Sequence, residues 1–280
     1  MTSMTSVTLE PPLPLWLAAP AGSGLMGLAF AVAYPLSRAT EPSSEAATWP
    51  DNDEPSSAIN FPPSENVGAV LISCACVLLS WAFAARWAEN RLRLGPLLLG
   101  GPPGWLNEAS CWLGQLSLVV CPIGVAATPW HLYPSTHYAF AYTVFYGGAT
   151  YLCIQSYLDH VAAQPGGTRG ASPAVRTLRL GLIALGTVCM LLYWLCFGLV
   201  GRHTTSLVSN AVAQPAHAVL ELSCMTILLS YVASLGWTQR RIAAQVVVSL
   251  PGRRRGGVDG QGGGGEEEGE PLLKHRTAHE

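Results

Sequence analysis

Charge is what this chain has least of. Only 11% of its 280 residues are Asp, Glu, Lys or Arg, half are hydrophobic, and the formal net charge is −2. A soluble domain carries about 25% charged residues, so this composition is matched to a solvent other than water. No basic excess is available to follow a phosphate backbone, which excludes nucleic acid as a partner. The chain also lacks an Asn-x-Ser/Thr sequon, so no glycosylation site marks a lumenal loop. Its eight cysteines (Cys74, Cys76, Cys111, Cys121, Cys153, Cys189, Cys196 and Cys224) all fall inside or at the ends of apolar runs. None is left in a long loop for a secreted disulfide framework, and Cys74-x-Cys76 is too tightly spaced for a zinc knuckle. The usual catalytic signatures are missing as well. There is no His-Glu-x-x-His, no Gly-x-Ser-x-Gly and no phosphate-cradling glycine loop.

What the chain does have is six long apolar runs, at 13–36, 67–85, 111–127, 138–158, 180–200 and 211–235, and a positive mean hydropathy. About 20 apolar residues in helical form cross the hydrocarbon of a bilayer. In lipid the backbone must satisfy itself, and continuous runs of this length do so as helices rather than as barrel strands. The expected fold is therefore all-α, a six-helix transmembrane bundle. Small residues four apart (Ser23, Gly27 and Ala31 in the first run; Ala139, Thr143 and Gly147 in the fourth) mark candidate faces for close helix approach. Tryptophans and tyrosines near the run ends fit an interfacial belt.

Arginine sets the orientation. Segment 86–107 carries Arg86, Arg91 and Arg93. Segment 159–179 carries Arg169, Arg176 and Arg179, and the tail carries Arg240, Arg241, Arg253, Arg254, Arg255, Lys274 and Arg276. The alternate loops hold only Arg38 and Arg202. Both termini are then cytosolic, and the acidic loop 37–65 faces the lumen or the outside. The expected organisation is a cytosolic N-terminus at 1–12, a membrane domain at 13–241 and a disordered cytosolic tail at 242–280. Ala31-Val32-Ala33 resembles a signal-peptidase site, but no basic residue precedes the run, so it is read as a retained first span.

Polar residues within apolar runs are the candidates for function. Glu221 lies in the middle of the sixth run, and His217 is one helical turn earlier on the same face. His137 opens the fourth run and Gln155 lies near its end. Three readings of His137, Gln155, His217 and Glu221 stand open. They form an interhelical polar network that fixes the bundle, a lipid-headgroup or proton site, or, with His131, a metal-dependent lipid hydrolase. The last needs three converging ligands and an open position, and a His-x-x-x-Glu pair supplies two. In the tail, Glu268 stands four residues before the pair Leu272-Leu273. This is the pattern of an acidic dileucine sorting signal, read by clathrin adaptor complexes as an extended peptide.

Placed in order, these features resemble the DRAM/Frag/Sfk family (damage-regulated autophagy modulator), whose shared region is also described as a CWH-type N-terminal membrane domain. Phe61-Pro62-Pro63-Ser64-Glu65 stands where the family has Pro-Pro-Glu-Ser before its second span, with the last two residues exchanged. Asn107 and Gly114 match its third span. His137 and Tyr151-x-x-x-Gln155 match its fourth, and Glu221, followed by Leu222 in place of the usual Trp, matches its sixth. The resemblance implies a non-enzymatic, multi-pass modulator or adaptor of autophagy and endolysosomal trafficking. It also implies contact with membrane lipids and with the autophagy machinery or a phosphoinositide kinase. The expected location is the endosome or lysosome membrane, with the plasma membrane or Golgi as the alternative. A related branch remodels GPI lipids, so a lipid-processing protein is the alternative function. No cofactor is implied.

Overall fold

The computed structural model describes residues 6–8, 15–40, 63–98, 101–129, 132–164, 171–201, 207–239 and 247–249. Residues 10–244 form one compact unit, and the two ends of the chain form another. Within the latter, β1 (Ser6–Thr8) pairs antiparallel with β2 (Val247–Ser249).

The larger unit is helical. It consists of α1 (Leu15–Thr40), α2 (Ser64–Leu94), α3 (Pro102–Ala127), α4 (134–162), α5 (Pro173–Gly201) and α6 (Leu207–Gln239). Among the described residues, five of them, all except α4, are long and apolar enough to cross a membrane by length and composition. α4 runs on without a break but changes winding at Thr143–Gly147, a π turn between two α segments. α3 has the same device at Leu116–Val120. There the cause is Pro122, which cannot donate to the carbonyl one turn back and whose ring would clash with it. A wider turn absorbs both defects. The two π turns sit side by side, with a Cβ on Gly147 falling 2.6 Å from the Ser117 Cβ.

The helices outrun the apolar runs. α2 continues nine residues past the run that ends at 85, through Arg86, Glu89 and Arg93, and closes at Gly95, whose φ of 47° suits a residue without Cβ. The Pro- and Gly-rich segment 95–104 holds a 3-10 turn (Gly95–Leu98) and the start of α3, with prolines at its first positions.

α2 is the centre of the bundle and touches α1, α3, α4 and α6, while α1 also packs along α6. The core is built by Ala19, Met26 and Ala29 of α1, Ile72, Leu79 and Phe83 of α2, and Tyr151, Tyr231 and Leu235 of α4 and α6. Close approach comes from Gly147 of the expected stripe in α4 and, elsewhere, from glycines outside the stripes. A Cβ on Gly22 would meet the Leu79 side chain at 2.9 Å, and one on Gly236 would meet the Trp16 carbonyl at 2.5 Å. Gly27 faces open space, and Ala31 and Ala139 are exposed. Of the expected stripe in α1, Ser23 is buried, Gly27 half-buried and Ala31 exposed, so the covered face, which also holds Ala19, Gly22, Met26, Ala29 and Ala33, meets the stripe only at its first residue. α5 lies at the periphery, with Leu178, Leu180, Leu185, Leu191 and Leu195 facing outward. Such a surface is a liability in water and ordinary in lipid. All eight cysteines are free.

Candidate functional site

The densest chemistry lies at one end of the bundle, where α2, α4 and α6 finish and α3 and α5 begin. Asp159 of α4 is its centre. Its Oδ1 accepts from Arg86 Nη2 at 2.7 Å and from Arg93 Nη1 at 3.0 Å, and its Oδ2 accepts from Arg179 Nη1. Glu89 lies one turn beyond Arg86 and one turn before Arg93, and ion-pairs with them at 2.9 and 3.1 Å. Three arginines thus face two carboxylates, leaving one net positive charge in a cluster that is almost wholly buried.

Charge at that depth is costly unless each donor is met, and here the donors are met. Arg86 Nε donates to Gln155 Oε1 at 2.8 Å. Arg179 Nε donates to Ser234 Oγ at 2.9 Å, and its Nη2 donates to the Ser234 carbonyl at 2.8 Å. Neutral groups extend the network to α3. Asn90 Nδ2 donates to Asn107 Oδ1 (2.9 Å) and Gln155 Oε1 (3.1 Å), and Gln155 Nε2 donates to Ser110 Oγ (2.9 Å). Asn107 Nδ2 also reaches the Trp87 carbonyl, and Gln239 Nε2 the Ala82 carbonyl. Five helices are therefore tied at one level by side chains that have few alternative partners in a bilayer. The Arg179 guanidinium also lies 5.6 Å from the centre of the Tyr231 ring, within cation–π range. The Tyr231 hydroxyl bridges Ser156 and the Leu152 carbonyl.

The structure divides the sequence candidates between two levels. Gln155 and Asn107 belong to the ion cluster. His137, His217 and Glu221 lie toward the other end, since Glu221 precedes Thr238 by 17 residues, about 25 Å along α6. All three are buried. His137 Nδ1 lies 2.8 Å from the Thr128 carbonyl, and His217 stacks on Tyr193 of α5 with ring centres 4.2 Å apart. Glu221 borders a small cavity of about 40 Å³, lined mainly by apolar side chains including Phe30, Ile72 and Val144. Among the described residues no three His, Cys, Asp or Glu side chains gather as metal ligands. Tyr151 is a packing residue. Its ring meets Phe83 edge-on at 5.0 Å, and a Cβ on Gly114 would lie 3.1 Å from it. Ser64 is buried at the start of α2, Glu65 is half-buried and Pro63 is exposed. Phe61, Pro62, His131, and the tail residues Glu268, Leu272 and Leu273 lie outside the described residues.

Arg86, Arg93 and Arg179 lie just outside the apolar runs, where hydropathy alone counts them as loop charge. A signal was present. Arg86, Glu89 and Arg93 are spaced three and four apart with alternating sign, which places them on one helix face. Asp159 sits one turn after Gln155 on the same face of α4.

A family model described as the Frag1/DRAM/Sfk1/Cwh43P N-terminal domain matches residues 45–237. No curated protein and no solved structure matches the chain.

Proposed function

The chain belongs to the Frag1/DRAM/Sfk1/Cwh43P N-terminal domain family, and on that premise we propose that it is a multi-pass membrane modulator or adaptor of endolysosomal trafficking and autophagy. It works through the arrangement of its helices and its exposed segments rather than by chemistry on a substrate. The observation that carries this reading is the ion cluster. Its charged groups are spent on one another, an arrangement that ties α2, α4 and α5 together, while hydrogen bonds from the same cluster reach α3 and α6. A rigid membrane frame with its polar groups turned inward is suited to presenting loops and a tail to partners.

The topology that goes with this function has six crossings. α4 is the sixth, since its 29 residues (134–162) pass through the π turn without a break and reach about 40 Å. The helix ends that meet at the ion cluster are those that six alternating crossings put on one side. The start of α1 joins them there, its Trp16 carbonyl lying against the Gly236 position near the end of α6. That side is the cytosolic one, by the arginine distribution and by the positive-inside rule. The tail is then cytosolic, and Glu268, Leu272 and Leu273 are placed for adaptor recognition and delivery to endosomes and lysosomes. Phosphoinositide kinase recruitment, known in the family, is the second candidate output on that face.

Cells lacking the protein test the reading. Autophagic flux and whole-cell lipid composition are measured before and after rescue with the wild type and with Glu221→Gln. A flux defect restored by both, with unchanged lipid species, supports the modulator. A lipid species that accumulates in the null cells and is cleared by the wild type but not by Glu221→Gln would replace it with the lipid-processing alternative.

A further inference from the structure

Between the last turns of α4 and the first turns of α5 lies a groove of about 510 Å³ beside the ion cluster. At the end formed by the first turn of α5 it is lined by His160 and Arg176, with the buried Arg179 of the cluster behind them. Arg176 projects from the first turn of α5, and its Nε is buried without a hydrogen-bond partner among the described residues. Asp159 also lines the groove, but its carboxylate is held by three arginines, so the cluster behind the groove keeps its net positive charge. Going inward, the lining turns apolar, through Leu180, Cys153 and Ile183.

Cys153 and Ile183 also line a second groove of about 210 Å³, which continues along the same seam past Leu182 and Met190. Only farther on is the seam closed, by Tyr142 and Tyr146 of α4 packed against Trp194 of α5. From Arg176 to Met190 the seam is 14 residues of helix, about 21 Å. A cationic mouth at the membrane–water boundary leading into an apolar slot has the polarity gradient of a phospholipid. A free anion would use only the mouth.

We propose that the α4–α5 seam binds one anionic phospholipid, its phosphate held between Arg176 and His160 and one acyl chain lying along the slot past Ile183. Basic pockets between helices on the cytosolic side of membrane proteins are suited to such headgroups. The assignment to the cytosolic leaflet rests on the topology proposed above, but the binding does not, so the two can fail separately. The bound lipid would also make α5, the least buried helix, sensitive to the composition of the membrane around it.

The test uses the full chain purified in a neutral detergent and titrated with phosphatidylserine, with phosphatidylcholine and with inorganic phosphate, bound lipid being counted by native mass spectrometry. The expected result is one phosphatidylserine held in preference to phosphatidylcholine. Arg176→Gln should weaken it about fivefold, the attraction of one basic residue near an anionic surface. Ile183→Trp, which fills the slot and leaves the charges in place, should weaken it as well. Arg91→Gln removes an exposed arginine at the same end of the bundle but outside the groove, and should change nothing. Equal retention of both lipids, equal effects of Arg176→Gln and Arg91→Gln, or displacement of the lipid by inorganic phosphate would each overturn the proposal.

Discussion

Replacing Asp159 by Asn is the sharpest perturbation of the ion cluster. It keeps size and shape and removes one charge. Three arginines against two carboxylates become three against one, so the buried net charge rises from one to two. One side-chain oxygen now has to serve what two carboxylate oxygens served. The new amide NH₂ must also point at a guanidinium, donor against donor. Removing one member of a buried charge network costs about 3–5 kcal/mol, because the partners left behind are desolvated and unmatched. At about 1.4 kcal/mol per decade, that is a loss of roughly two to three and a half orders of magnitude in the folded-to-unfolded ratio.

The assay is unfolding of the purified full chain in mixed micelles, followed by tryptophan fluorescence. Arg179→Met serves as the second variant of a double-mutant cycle. Arg179→Met alone should be strongly destabilising. Added to Asp159→Asn it should cost far less than in the wild-type background, because it returns the net charge to one. A loss below about 0.5 kcal/mol for Asp159→Asn, or strict additivity with Arg179→Met, would refute the network.

Other consequences are simpler to read. Gly236→Ala should destabilise by about 1–3 kcal/mol, because its Cβ would lie 2.5 Å from the Trp16 backbone oxygen. Gly27→Ala, in open space, should be neutral or stabilising by up to about 1 kcal/mol in the same unfolding assay. Glu108→Gln breaks an exposed pair with Arg91 at 3.9 Å and should change stability by less than about 1 kcal/mol, in contrast to Asp159→Asn. Alanine at both Leu272 and Leu273 should shift a fluorescently tagged chain from vesicles to the cell surface, and unchanged vesicular imaging would reject the sorting signal.

Hydropathy alone places the six helical regions, since apolar runs of this length have few stable forms other than helices in a bilayer. It does not place their ends. Arg86, Glu89 and Arg93 fall outside the apolar run of α2 yet inside its helix, because they are neutralised by Asp159 and by one another. That compensation comes from a helix more than sixty residues away in sequence, and local composition carries no trace of it. Gln155 was visible as a polar residue in an apolar run, but its partners Arg86, Asn90 and Ser110 were not. His217 and Glu221 were legible as a one-turn pair on α6, whereas the stacking of His217 on Tyr193 depends on how α5 docks. The spacing of small residues in α1 picks out a face that is covered at Ser23 but not at Ala31, for a related reason. Gly, Ala and Ser are common all around a membrane helix, and only the position of α2 decides which of them are covered.

The topology carries the rest of the account, because it decides which side holds the ion cluster and the tail, and whether α4 crosses. One glycosylation sequon placed in the first loop by Ser43→Asn with Glu45→Thr, and one placed separately in the tail by Gln261→Asn with Gly263→Thr, measure it directly in cells. Six crossings predict a glycosylated first loop and an unmodified tail. A first loop and a tail that are both glycosylated would contradict the six crossings, and a glycosylated tail with an unmodified first loop would contradict the cytosolic face built on them.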